Sequence, residues 1–134
     1  MADGITGSCH CGALRWRFRG MPEDATLCNC TICRRYGALW AYDYEGERIE
    51  VEGPARGYLR EGGSLAFHFC GECGAVAWWR SRAAGEDGRR RIAVNLRLAD
   101  DPDAVSDVPL LRFDGLDTFD DLPPDGRRVR DVRF

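Results

Sequence analysis

Alternation of apolar and polar positions dominates the chain. From Ala13 to Phe18, Leu14, Trp16 and Phe18 fall on one side of an extended segment and Ala13, Arg15 and Arg17 on the other, the period of two expected of a half-buried strand. Leu39 to Tyr44, Arg48 to Val51, Arg56 to Arg60, Ser64 to Phe69, Ala75 to Arg80 and Arg91 to Leu96 read as further strands. They are parted by turn signals such as Glu61-Gly62-Gly63 and Gly85-Glu86-Asp87-Gly88. Helical signals are brief: one turn over Thr31 to Tyr36, and another over Asp101 to Asp107 with Asp101 as a cap ahead of Pro102. The pattern predicts a mainly β fold of antiparallel sheets, in one domain spanning residues 1–134.

The chain has 134 residues, 44% of them hydrophobic, enough for a real but modest core that bound metal would reinforce. No apolar run approaches membrane-spanning length, and Met1 to Gly20 has no signal-peptide core. A cytoplasmic protein with reduced thiols is the expectation. The formal charge is -3; acidic residues gather between Asp100 and Asp125, and arginines cluster only at Arg89 to Arg91 and Arg127 to Arg130. These short runs read as solvated faces and not as a nucleic-acid-binding surface.

All nineteen basic residues are arginine. The lack of lysine excludes Schiff-base chemistry, pyridoxal phosphate attachment and a Walker A phosphate loop. There is no GxSxG elbow, and only two histidines are available for a triad. Carbonyl chemistry in this chain would have to use metal or thiol.

Seven cysteines form three clusters: Cys9-His-Cys11, Cys28-Asn-Cys30-Thr-Ile-Cys33 and Cys70-Gly-Glu-Cys73. Thiols two or three residues apart can chelate one ion, so the spacing reads first as zinc binding. A closed structural site takes four protein ligands and a reactive one keeps a position open, so seven divides as four plus three. Cys28, Cys30 and Cys33 can hold one ion from a single short run, leaving Cys9, Cys11, Cys70 and Cys73 to close around another. Cys11-Gly12 and Cys73-Gly74 look like two related knuckles; their pairing would join segments about sixty residues apart. A helix start after Cys30 would favour thiolate at Cys30 or Cys33.

Other readings compete. Disulfides would leave one thiol over, and CxCxxC is not a usual ferredoxin spacing for an iron–sulfur cluster. Purely structural metal would need another side chain to complete the third cluster, with His68 the nearest candidate. His10 reads as surface. Tyr36, Trp40 and Tyr42 are candidates to line a pocket, or are simply core.

Gly7-Ser8-Cys9-His10-Cys11-Gly12, Cys28-Asn29-Cys30-Thr31-Ile32-Cys33-Arg34-Arg35 and Phe69-Cys70-Gly71-Glu72-Cys73-Gly74 resemble the glutathione-dependent formaldehyde-activating enzyme family, also called the centromere protein V-like family. The resemblance extends into Val94-Asn95-Leu96 and Phe113-Asp114-Gly115-Leu116. It implies an Mss4-like fold with two zinc ions, one structural on Cys9, Cys11, Cys70 and Cys73 and one catalytic on Cys28, Cys30 and Cys33. It also implies carbon–sulfur lyase chemistry, in which glutathione and formaldehyde are interconverted with S-(hydroxymethyl)glutathione. The partners would be a small-molecule thiol and aldehyde, with Arg34 and Arg35 as candidate donors to the carboxylates of glutathione. The alternative is a non-catalytic zinc-stabilised binding or interaction module.

Overall fold

The computed structural model describes residues 4–133; residues 1–3 and 134 lie outside the described part. Eleven strands form two sheets. Strands β1 (Gly4–Ser8), β2 (Arg15–Arg19) and β5 (Ile49–Glu52) make a small antiparallel sheet in the order β1-β2-β5. The other eight are β3 (Ala25–Cys28), β4 (Trp40–Tyr44), β6 (Ala55–Leu59), β7 (Leu65–Cys70), β8 (Val76–Ser81), β9 (Arg91–Asn95), β10 (Leu110–Asp114) and β11 (Asp120–Asp121). They run β11-β10-β3-β4-β9-β8-β7-β6 across the large sheet. A single helical turn, α1 (Cys33–Tyr36), follows β3 and ends on Gly37 in the left-handed region.

The mainly β, antiparallel expectation is met, with strand limits within two residues of those read from the sequence. Alternation did not reveal β1, β3, β10 or β11. Gly4-Ile5-Thr6-Gly7-Ser8 carries only one large apolar side chain, because Gly7 must leave room for the Trp16 indole: a Cβ there would lie 2.1 Å from the ring. β3 and β10 pair in parallel, Leu110 opposite Ala25 through Phe113 opposite Cys28, so the large sheet is not wholly antiparallel. Parallel neighbours are joined through long connections that no local turn signal marks. The second helical segment is a 3-10 turn over Pro102–Val105, and the Asp101 side chain accepts from Asp103 N at 3.0 Å.

The large sheet has two different faces, because successive side chains on a strand point to opposite sides. On one, Ala41, Trp78, Ile92 and Val94 pack with Ile5, Trp16, Phe18 and Ile49 of the small sheet. On the other, Trp40, Phe67, Trp79 and Ala93 form a separate apolar cluster. The cysteines divide along the same line. Cys9, Cys70 and Cys73 belong to the first core, whereas Cys28, Cys30 and Cys33 belong to the second cluster.

Candidate functional site

The two knuckles, one between β1 and β2 and the other between β7 and β8, meet with their four sulfurs together. In each, the glycine after the second cysteine lies in the left-handed region, Gly12 at φ 84° and Gly74 at φ 80°, and donates back to the first cysteine's carbonyl at 2.9 Å. A Cβ at either glycine would meet open space; the backbone conformation, not a close approach, calls for glycine. Sulfur separations are 3.7 Å for Cys9–Cys11 and 3.6 Å for Cys11–Cys70. Those are far beyond a disulfide bond of about 2.05 Å. They match the edge of a tetrahedron of sulfurs with metal–sulfur bonds of about 2.3 Å, roughly 3.8 Å.

Donors converge on these sulfurs. Leu14 N lies 3.2 Å from Cys9 Sγ, and Glu72 N and Cys73 N lie 3.4 Å and 3.5 Å from Cys70 Sγ. The N–H groups of Cys73 and Glu72 hold the Cys70 thiol below its ordinary range, and N–H donation from Ala75 is the main cause lowering Cys73 to about 6. Four soft sulfurs within 4.8 Å of one another suit zinc without rearrangement.

The middle cluster lies at the exit of β3. Its three sulfurs also fall within 4.8 Å, and among the described residues no fourth histidine, cysteine or carboxylate joins them. Cys30 N donates to Cys28 Sγ and Cys33 N to Cys30 Sγ, both at 3.4 Å. The Trp40 indole donates to Cys33 Sγ, also at 3.4 Å. Hydrogen bonding from Cys33 is the main cause lowering Cys28 to about 6. The same sharing, with burial, raises Cys33. Gly115 closes the back of the cluster: a Cβ there would sit 2.8 Å from Cys30 Cβ and 3.0 Å from Cys28 Sγ.

All three of these cysteines line a cavity of about 650 Å³, and none of the other four does. Such a volume is in the range that holds ligands of drug size. Trp40, Phe67 and Trp79 form its sheet-side wall, and the 113–121 segment and the Arg60–Ser64 hairpin form its rim. Tyr42 also lines it, with 37% of its surface exposed. Desolvation raises its phenol to about 12, so it remains a neutral hydrogen-bonding group.

Of the candidate pocket aromatics, Trp40 and Tyr42 line the cavity; Tyr36 packs on Phe67 with ring centroids 5.6 Å apart. Arg34 and Arg35 are exposed on α1 and line no part of the cavity. The Arg35 guanidinium instead donates to Thr31 O at 2.7 Å. The cations that do line it are Arg60 and Arg91, the latter over the Tyr42 and Trp79 rings at 5.8 Å and 5.6 Å. Among the described residues neither forms an ion pair.

His68 stacks on Trp78 at 6.0 Å and joins neither cysteine group. His10 is exposed, as expected. Gly115, Arg60 and Arg91 were not singled out by sequence reasoning; only the Phe113-Asp114-Gly115-Leu116 string gave any sign of the rim.

Fold and site together define a β-sheet scaffold with two cysteine groups able to hold zinc, one at the margin of the main core with Cys11 exposed and one facing a cavity. Residues 4–109 match the model of the glutathione-dependent formaldehyde-activating enzyme family, and the chain belongs to that family. A Halomonas elongata protein provisionally named a glutathione-dependent formaldehyde-activating enzyme is 33% identical over 85 residues, 55% of this chain and 54% of that protein. The match thus spans about half the length of that relative. A crystal structure of a Rhodobacter sphaeroides protein superposes with a TM-score of 0.60 at 25% identity, covering 79% of this chain and 99% of the other. Among the described residues no helix is long and apolar enough to cross a membrane.

Proposed function

We propose that the chain is a zinc-dependent carbon–sulfur lyase-type enzyme that joins a small thiol to an aldehyde, with glutathione and formaldehyde the pair suggested by the family. The observation that carries this reading is the placement of Cys28, Cys30 and Cys33, without a fourth protein ligand among the described residues, on the wall of the cavity. Zinc held there would favour the thiolate form of a thiol at neutral pH. The reaction is balanced without oxidant or reductant: sulfur bonds to the aldehyde carbon, the carbonyl π pair moves to oxygen, and the thiol proton ends on the new hydroxyl.

The chain's own residues bind and orient. Arg60 and Arg91 are placed to receive the carboxylates of glutathione, since unpaired guanidinium groups form fork-shaped bonds to carboxylate. Glu61 and Asp121 on the rim suit its ammonium group. Trp40, Phe67 and Trp79 keep water from one side of the reacting sulfur, which strengthens electrostatic contacts in the cavity. The Trp40 N–H and the backbone N–H groups of Cys30 and Cys33 fix the cysteine sulfurs in place.

The test is chemical exchange between ¹³C-formaldehyde and its glutathione adduct, followed by NMR with zinc-loaded protein. Exchange faster than with glutathione and free zinc, and lost in Cys30→Ser, is expected. No acceleration over that control would reject the reading in favour of a non-catalytic zinc module.

A further inference from the structure

Two apolar residues on the cavity rim are not explained by core packing. Phe113 is partly buried against the second apolar cluster, but Leu116 and Phe119 are 53% and 73% exposed. Phe119 is also the non-glycine residue with positive φ among the described residues, at 57°. Bulky side chains rarely adopt that conformation, and strain of this kind persists where surrounding contacts enforce it.

The enforcing contacts are visible. The Asp114 carboxylate accepts from Asp117 N at 3.1 Å and from Thr118 N and Oγ1 at 3.4 Å and 3.2 Å. Phe119 N donates to Asp114 O at 2.7 Å. The loop thereby holds the Phe119 ring edge-on to Phe113, centroids 5.0 Å apart, where both line the cavity that contains the three cysteines.

Neither half of the family's named pair uses such a surface. Formaldehyde adds one carbon and one oxygen, and glutathione, apart from its thiol and short methylene links, presents carboxylates, amides and an ammonium group. An apolar wall continuous with a thiol-binding centre matches a substituent on the carbon next to sulfur. Building on the proposed thiol–aldehyde reading, we infer that the site takes adducts of aldehydes bearing an aliphatic or aromatic group, and that Phe119 and Leu116 are the specificity residues holding that group. The reaction is R–CHO plus thiol giving the hemithioacetal. The carbon–sulfur bond forms, the carbonyl π bond breaks, and the thiol proton goes to the hydroxyl.

The test uses the zinc-loaded 134-residue chain and calorimetric titration of glutathione, S-methylglutathione and S-hexylglutathione. The two thioethers differ only in five methylenes, which half-buried would strengthen binding about thirtyfold. Phe119→Ala should remove about tenfold of that gain while leaving glutathione affinity within twofold, and Phe119→Leu should restore most of it. Leu116→Ala gives a second, independent variant with a smaller loss. If glutathione binds but the thioethers bind equally, or if S-hexylglutathione is indifferent to both alanine variants, the apolar-substituent inference falls and the thiol reading stands. If none of the three binds, both fall.

Discussion

The Asn29 side-chain amide, lying between the ligand candidates Cys28 and Cys30, donates to the Asp114 carboxylate at 3.1 Å. The same side chain accepts from Leu116 N at 3.0 Å, while Asn29 N donates to Phe113 O at 3.3 Å. One asparagine therefore locks the cysteine loop to the cavity rim. The rim loop 114–119 lies beyond the residues 4–109 matched by the family model, so this clasp ties the matched cysteine motif to an adjoining part of the chain.

A pH dependence follows from the clasp. Donation from Asn29, then from the N–H of Asp117, holds the Asp114 carboxyl below its ordinary value of 3.8. A folded-state value below the unfolded one stabilises the loop above the ordinary value, and that stability is lost as pH falls through the folded value. Proteolytic nicking of the 114–119 loop should thus rise only below about pH 4. Asp114→Asn, which cannot ionise, should show equal nicking across that range.

The two cysteine groups should fail differently. Cys70 is 2% exposed and belongs to the main core, so Cys70→Ser is expected to unfold most of the chain. Cys30→Ser should leave the fold intact and remove one zinc, because three sulfurs from one short run can chelate metal in the unfolded chain too, so this site adds less to folding than one joining distant segments. Circular dichroism and zinc analysis of both variants check this. Equal unfolding by the two would contradict it.

Gly115→Ala tests the packing behind the middle cluster. Its Cβ would intrude on Cys28 Sγ and Cys30 Cβ, and forced overpacking of this kind costs about 1–3 kcal/mol. A Tm lowered by several degrees with weakened zinc binding is expected. An unchanged zinc affinity would show that the loop simply moves aside.

Arg91→Ala should raise KM for the thiol about tenfold with little change in kcat, since a carboxylate contact is made equally in the ground and transition states. Arg35→Ala should change neither, its guanidinium being occupied by Thr31 O. Steady-state kinetics of the two variants decides between the rim arginines and the pair that follows Cys33.

Local chemistry was the legible part of this sequence. CxC, CxCxxC and CxxC spacing gave both cysteine groups because chelation is set by a few bonds along the chain, and Trp16 and Phe18 announced β2 by alternation. What could not be read depends on contacts between distant segments. Arg91 and Arg60 reach the cavity only through the β4-β9-β8-β7-β6 order. Gly115 arrives beside Cys28 because β10 pairs in parallel with β3. Arg34 and Arg35 neighbour a candidate ligand in sequence, yet α1 turns them outward, since Cys33 is the buried residue of that turn.

The most direct measurement is zinc per chain before and after mild chelation, with circular dichroism and glutathione titration on the same samples. Two ions are predicted, one of them leaving the cavity-facing cysteines while the fold survives and glutathione binding disappears. A single tightly held ion, with glutathione affinity unaffected by the chelator, would contradict an open reactive centre at Cys28, Cys30 and Cys33.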